Sequence, residues 1–156
     1  MRCLKLLSLA LALLGTTALL SATPKPPARI LKVLQFRLDK KDRIALSPSL
    51  FERDAYQAIL RRHTNQCAGM RFDIQWQAKV RRGTALRLRM ELLATLQGVR
   101  TPVVVEQPVV VKSHRTRWSF VTVKGADFRR TGTIVAWRAT LWEGDHRLAE
   151  EHSFLW

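Results

Sequence analysis

Cysteine is scarce in this chain, which contains only Cys3 and Cys67. Very small exported domains often compensate for a thin core with several disulfides, and two cysteines exclude a framework of that kind. Stability must therefore come from packing. We expect Cys67 to be a buried thiol, with a disulfide bridge to a partner as the alternative.

The chain also lacks the patterns that commit a protein to a reaction, so we expect neither an enzyme nor a bound metal or cofactor. Its four histidines are His63, His114, His146 and His152. None of them stands in H-x-H or H-E-x-x-H, and none lies beside paired cysteines. No serine stands in G-x-S-x-G, and Cys67 has no catalytic signature around it. Glu150 and Glu151 would point to opposite faces of a strand, which is the wrong geometry for glycoside hydrolysis.

Acidic residues are few, because 12 Asp and Glu stand against 27 Lys and Arg, for a formal net charge of +15. Such an excess attracts nucleic acid, anionic lipid or acidic glycans, although the sequence contains no specific nucleic-acid motif. The expected partners are therefore an acidic polymer, an anionic surface or a partner protein. The alternative is that the positive charge reflects composition and serves only solubility.

Apolar runs are interrupted by charges everywhere except at the beginning of the chain. Residues 1–22 place Arg2 and Lys5 before a short apolar run, which small residues follow. This layout is typical of a cleavable export signal, and the run is short for a membrane span of ~20 residues. We predict that 1–22 is removed, that 23–29 is a Pro-rich lead-in, and that no transmembrane span remains. The expected location is the periplasm, the cell surface or the medium.

One segment, at about residues 49–63, has helical periodicity. Ser49 and Glu52 match the S-x-x-E capping box, in which each side chain satisfies a free backbone donor of the first turn. The apolar side of this helix comprises Phe51, Ala55, Ala58 and Ile59, and the opposite side comprises Arg53, Asp54, Gln57 and Arg61. We predict an amphipathic helix whose apolar side closes one end of a sheet, with binding of a partner as the alternative.

The remainder of the chain has the alternation of strands. Residues 71–92 alternate apolar and polar side chains almost without a break, apart from a short basic interruption that ends at Gly83. We predict a hairpin in which Gly83 takes the left-handed position of a three-residue loop and Trp76 faces Leu88. The apolar side of this hairpin would form part of the core, and the arginine-rich side would face solvent.

The valine-rich segment at 101–112 is apolar on both parities, which favours burial on two sides. However, Pro102 and Pro108 forbid an uninterrupted central strand there. We therefore predict two short strand pieces with a kink between them.

The end of the chain predicts a second hairpin, with its loop at 143–146. In the preferred register Arg138 faces Glu151, and Trp142 faces Arg147. A charge pair and a cation–π contact on the solvent side favour this register over its neighbours.

About seven strands and one inserted amphipathic helix within residues 30–156 predict a single all-β domain, an antiparallel β-sandwich. Its strand count and spacing resemble those of immunoglobulin-like and fibronectin-like sandwiches. The Cys…Trp…Cys signature of true immunoglobulin domains is missing, so the resemblance implies a fold and no function. We expect Trp76 and Trp137 to lie in the core of this sandwich.

Two basic surfaces are candidate binding sites. The first, the hairpin patch, comprises Lys79, Arg81, Arg82, Arg87 and Arg89. The second, the aromatic-basic patch, comprises Arg115, Arg117, Trp118, Arg138, Trp142 and Arg147. The first depends on the predicted hairpin, which would bring its side chains to one side and one end of the same sheet.

These observations predict an exported, non-enzymatic binding or accessory module that recognises an acidic ligand or partner through a basic sheet face. The alternative is a structural subunit of an envelope or secreted assembly. An eight-stranded outer-membrane barrel ranks third, because the helix, the prolines and the single tyrosine fit it badly.

The first testable prediction concerns maturation. Because a basic start, a short apolar run and small residues precede Thr23, the exported protein should begin near that residue. Intact-mass measurement of exported material checks this expectation. A membrane-bound product that keeps residues 1–22 would contradict it.

Overall fold

A computed structural model of the protein describes residues 26–96 and 99–156. The predicted signal and the beginning of the lead-in lie outside these residues. The strands are β1 (Ala28–Asp39), β2 (Cys67–Ala78), β3 (Ala85–Leu96), β4 (Val99–Val110), β5 (Arg117–Lys124), β6 (Thr133–Glu143) and β7 (His146–His152). The helices are α1 (Leu50–Arg62) and α2 (Gly125–Thr131), and only α1 corresponds to a helix expected from the sequence.

The strands form two antiparallel sheets. Sheet A has the order β1-β2-β5, and sheet B has the order β4-β3-β6-β7. Their facing sides share one hydrophobic core, which contains Ile74 and Trp76 of sheet A and Leu88 and Met90 of sheet B. This arrangement is consistent with the predicted antiparallel β-sandwich. Within the described residues, no helix has both the length and the apolar character that crossing a membrane requires.

β2 and β3 lie in different sheets, so the predicted hairpin between them is wrong. Trp76 pairs with Ile30, and Leu88 pairs with Leu141, instead of with each other. Alternation does not distinguish the two arrangements, because the apolar parity of both strands faces the core in either case. Gly83 does have a positive φ of 86°, but it lies in a connection that crosses from one sheet to the other.

β4 runs as one strand at the edge of sheet B, so the predicted kink between two short pieces is wrong. Pro102 pairs with Leu93 of β3, and Pro108 pairs with Arg87. An edge strand has a partner on one side only, and it tolerates prolines whose missing N–H groups would point away from that partner. Val104 is exposed on the outer side, so the strand is not enclosed on both sides.

The β6–β7 hairpin is confirmed, with one change of register. Trp142 faces Arg147 as predicted, but a bulge beside Trp142 moves the rest of the pairing by one residue. Arg138 therefore faces His152 instead of Glu151. Such a bulge opposes two residues on one strand to one on its partner, which alternation alone does not reveal.

A bulge at Leu31 divides β1 into two parts whose side chains alternate in opposite phase. Before the bulge, Ile30 is buried in the core between the sheets. Beyond it, Gln35 pairs with the buried Phe72 and shares its inner side, so that Phe36 faces outward. The bulge therefore gives the second half of β1 a polar inner side and an apolar outer side.

α1 packs on the outer side of sheet A and covers the apolar residues that the bulge turns outward. Leu60 is buried there together with Phe36 and Leu38. The Gln57 side chain accepts a hydrogen bond from the Arg37 N–H at 2.7 Å and donates one to the Arg37 carbonyl at 2.9 Å. Since β1 is an edge strand, the Gln57 amide takes the place of a missing strand partner for one residue.

The predicted orientation of α1 is therefore wrong, although its beginning at the Ser49 cap is confirmed. The other half of the capping box is not formed, because the Ser49 N–H donates to the Ser47 hydroxyl, which itself donates to the Glu52 carboxylate. The Phe51 side chain is 83% exposed and Ile59 is 46% exposed, while Gln57, expected in solvent, is buried. Apolar periodicity did not decide the docking face, because the open edge of β1 offers hydrogen-bonding groups that only a polar side chain can satisfy.

The second testable prediction contrasts the two sides of α1. Gln57→Leu should lower the free energy of unfolding by about 1–3 kcal/mol for each backbone group of β1 that it leaves buried and unpaired. Phe51→Ala, on the exposed side, should change it by no more than about 0.5 kcal/mol. Urea unfolding of both variants measures the contrast. A large loss in Phe51→Ala with little loss in Gln57→Leu would support the orientation expected from periodicity.

Candidate functional site

The residues of the predicted hairpin patch do not share one surface. Lys79 follows β2 in sheet A, whereas Arg87 and Arg89 lie on the outer side of β3 in sheet B. Arg81 and Arg82 are exposed in the connection between the two sheets. The patch depended on pairing between β2 and β3, and the separation of these strands removes that premise.

On the outer side of sheet B, arginines alternate with carboxylates across three strands. The Glu106 carboxylate lies 3.6 Å from the Arg87 guanidinium and 3.7 Å from that of Arg89. The Glu91 carboxylate lies 3.0 Å from Arg89 and 2.5 Å from Arg138. Pairs at such partly exposed positions stabilise a fold by only ~0–1 kcal/mol each, but they leave little free charge for a ligand.

The aromatic-basic patch is divided in the same way. Trp118 is half exposed on the outer side of sheet A, where it pairs with Gln75. Arg117 begins β5, where it pairs with the buried Trp76, and Arg115 lies in the loop before that strand. The remaining three side chains lie on sheet B, and several of the six already contact their own chain. Arg138 lies 4.7 Å from the centre of the Trp156 ring, and Trp142 donates a hydrogen bond to the Thr140 hydroxyl at 2.8 Å. The structure therefore does not bring these six residues to one site.

A cleft of about 850 Å³ opens where the inner side of β1 becomes polar. It is bordered by the end of β1, by α1, by the beginnings of β2 and β6, and by α2. Its cationic side chains are Arg37, Lys40, Arg61, Lys124 and Arg129. The single acidic side chain of its lining is Asp42, whose carboxylate lies 2.8 Å from the Lys124 ammonium.

The base of the cleft is apolar. Met70 of β2, Phe128 of α2 and Ile134 of β6 line it, and all three are half-buried against the core between the sheets. Cys67 also lines the cleft as a free thiol, half-buried instead of fully buried as expected, and it donates a hydrogen bond to the Leu60 carbonyl at 3.2 Å. The cleft therefore combines a cationic border with an apolar base.

One wall of the cleft depends on the buried carboxylate of Asp39. It accepts hydrogen bonds from the N–H groups of Lys41 and Arg43, from the Tyr56 hydroxyl and from the Arg43 guanidinium, at 2.8–2.9 Å. Burial raises the pKa of Asp39, but these hydrogen bonds outweigh burial and lower the pKa from 3.8 to about 2. Asp39 thus ties the loop that follows β1 to α1.

No protein-family model matches the chain, and no curated protein matches it either. Within residues 26–96 and 99–156, no three His, Cys, Asp or Glu side chains are grouped so that they could hold a metal ion. Besides its cations and its apolar base, the cleft is lined by the Cys67 thiol, by the amides of Gln35 and Gln57 and by the hydroxyls of Thr64 and Thr133.

Sequence reasoning missed this cleft, because its cations come from segments far apart in the chain and no local pattern joins them. One signal was present in β1, where Gln35 and Arg37 alternate with Phe36 and Leu38. Any strand with one apolar side has a polar side as well, and the polar side normally faces solvent. In β1 the bulge at Leu31 places the polar side chains toward the inside instead, which the sequence pattern does not reveal.

The third testable prediction concerns acid stability. Because the folded-state pKa of Asp39 is about 2 and its ordinary value is 3.8, its stabilising contribution is complete above the ordinary value. That contribution should be lost as the pH falls from about 5 through about 2. Unfolding by urea across this range should show a steeper loss for the wild type than for Asp39→Asn. Tyr56→Phe, which removes one hydrogen bond to the same carboxylate, should fall between them, and parallel curves for wild type and Asp39→Asn would contradict the assignment.

Proposed function

We propose that this protein is an exported, non-enzymatic binding module that holds an acidic ligand in the cleft beside α1. The observation that carries the proposal is the convergence of five cationic side chains around one concavity that contains a single carboxylate, itself already paired. By contrast, Arg87, Arg89 and Arg138 on the outer side of sheet B are each paired with a neighbouring carboxylate.

Electrostatics favours an anion at this position. A concave surface lined by one sign of charge focuses the field and raises the local concentration of ions of opposite sign. Arg37 is half-buried, so its charge is less screened by solvent than that of a fully exposed side chain. An anion bound among these cations would reduce their mutual repulsion and would stabilise the folded state by mass action.

We also assign the sandwich to the immunoglobulin-like and fibronectin-like type. Its first, second and fifth strands form one sheet, and its third, sixth and seventh strands lie in the other. It differs from the constant-type immunoglobulin arrangement only in that the fourth strand joins the sheet of the third. This fold type serves many unrelated functions, so the cleft and its side chains carry the functional argument.

A structural subunit of an envelope or secreted assembly is the second candidate function. It is favoured by the outward side of α1, where Leu50, Phe51 and Ile59 are exposed. Exposed apolar surface of this kind is typical of contacts between proteins. Stoichiometric copurification that survives high salt would favour this candidate over a ligand-binding module.

The fourth testable prediction compares cleft cations with surface cations. Arg61→Glu/Arg129→Glu should weaken binding of citrate and tripolyphosphate by at least about tenfold, because both side chains lose a charge-assisted contact. Arg81→Glu/Arg82→Glu changes the net charge equally but lies in the exposed connection between β2 and β3, so it should have a much smaller effect. Isothermal titration at several salt concentrations measures both. Equal weakening by the two variants would show that only net charge matters, and would overturn the proposal.

A further inference from the structure

We infer that the ligand of the cleft is an amphiphilic anion, with a negatively charged headgroup and a hydrocarbon chain. This inference rests on the proposed function, because it specifies the chemical class of the ligand at the same site. Two features of the cleft carry it, namely the apolar base and the different depths of the charged and apolar side chains.

The apolar base is the first feature. Met70, Phe128 and Ile134 pack against the core on one side and keep part of their surface open toward the cleft. A purely ionic ligand would leave that surface in contact with water. A hydrocarbon chain would cover it and gain the free energy of apolar burial. Small-molecule sites commonly have this composition, with an apolar lining and a few polar groups that fix orientation.

The arrangement of charge is the second feature. Four of the five cations are exposed, whereas Arg37 and the three side chains of the apolar base are half-buried. Most of the cationic charge therefore lies nearer to solvent than the apolar surface does, and Arg37 lies between the two. A ligand that matches this order places its anionic group toward solvent and its hydrocarbon chain toward the core.

The shape of the basic surface argues against an extended polyanion. A nucleic acid or an acidic glycan chain gains affinity from many cations along a continuous surface. Here three arginines of sheet B are paired with Glu91 and Glu106. In the cleft, which has a volume of about 850 Å³, only Lys124 among the five converging cations has an ion-pair partner in the described residues. That volume lies within the range of ~300–1,000 Å³ found for small-molecule pockets.

Cys67 provides a reporter inside the cleft. Its thiol is free and half-buried, and it lines the same concavity as the apolar base. A ligand whose chain occupies the base should shield this thiol from an alkylating reagent. Peptide mapping by mass spectrometry separates alkylation at Cys67 from alkylation at Cys3, so that the test applies to the full chain.

The experiment titrates the protein with acetate, octanoate and dodecanoate, each kept below the concentration at which micelles form. Affinity should rise by up to about fourfold for each added methylene until the base is filled. Protection of Cys67 from iodoacetamide should rise in the same order. Citrate, which has charge but no hydrocarbon chain, should bind without comparable protection.

Variants locate the two parts of the ligand. Met70→Gln keeps a similar side-chain length and should weaken dodecanoate binding much more than citrate binding. Ile134→Thr tests the base at a second position, in case Met70→Gln does not fold. Val104→Gln, on the exposed side of β4, is the matched control and should change neither. Arg61→Glu/Arg129→Glu should weaken both citrate and dodecanoate, and citrate by the larger factor because it carries more negative charge.

The outcomes separate this inference from the proposed function. If citrate binds and the carboxylate series shows no dependence on chain length, the amphiphile is overturned and the acidic-ligand module stands. If neither citrate nor any carboxylate binds, both are overturned. If dependence on chain length persists in folded Met70→Gln and Ile134→Thr, the chain binds elsewhere, and its assignment to this cleft is overturned.

Discussion

The bulge at Leu31 is the constraint on which the rest of this architecture depends. Without it, Phe36 and Leu38 would continue the parity of Ile30 and enter the core between the sheets. With it, two large apolar side chains face outward and need a cover, which α1 provides. One additional residue in a strand thus accounts for the position of a helix.

The same bulge also creates the cleft. It turns Gln35 and Arg37 toward the space between the sheets, and Arg37 becomes one of the cations there. The backbone of Arg37 holds Gln57 of α1, and that contact fixes the side of the helix that carries Arg61. The contact between Gln57 and the Arg37 backbone therefore serves two purposes. It holds α1 over the apolar side of β1, and it places Arg61 at the cleft.

Strand positions, the helix cap and the final hairpin could be predicted, because alternation, capping chemistry and turn residues act over a few neighbouring positions. The partners of β2 and β3 could not, because Trp76 has the same parity in a hairpin and in a sandwich. The docking face of α1 was not predicted for a related reason. Gln57 is buried because its side chain forms hydrogen bonds with the edge of β1, which is distant in sequence. The cleft was not predicted because it depends both on the strand pairing and on the docking face of α1.

The crossing from β2 to β3 has a consequence for the order of folding. β3 with β4, and β6 with β7, are neighbours in sequence and need only short loops to pair. β2 with β5, and β3 with β6, join segments far apart in the chain, and closing such long loops is slow. The two local pairs are therefore expected to form early, and the central strands, with Trp76 between them, to complete the core last.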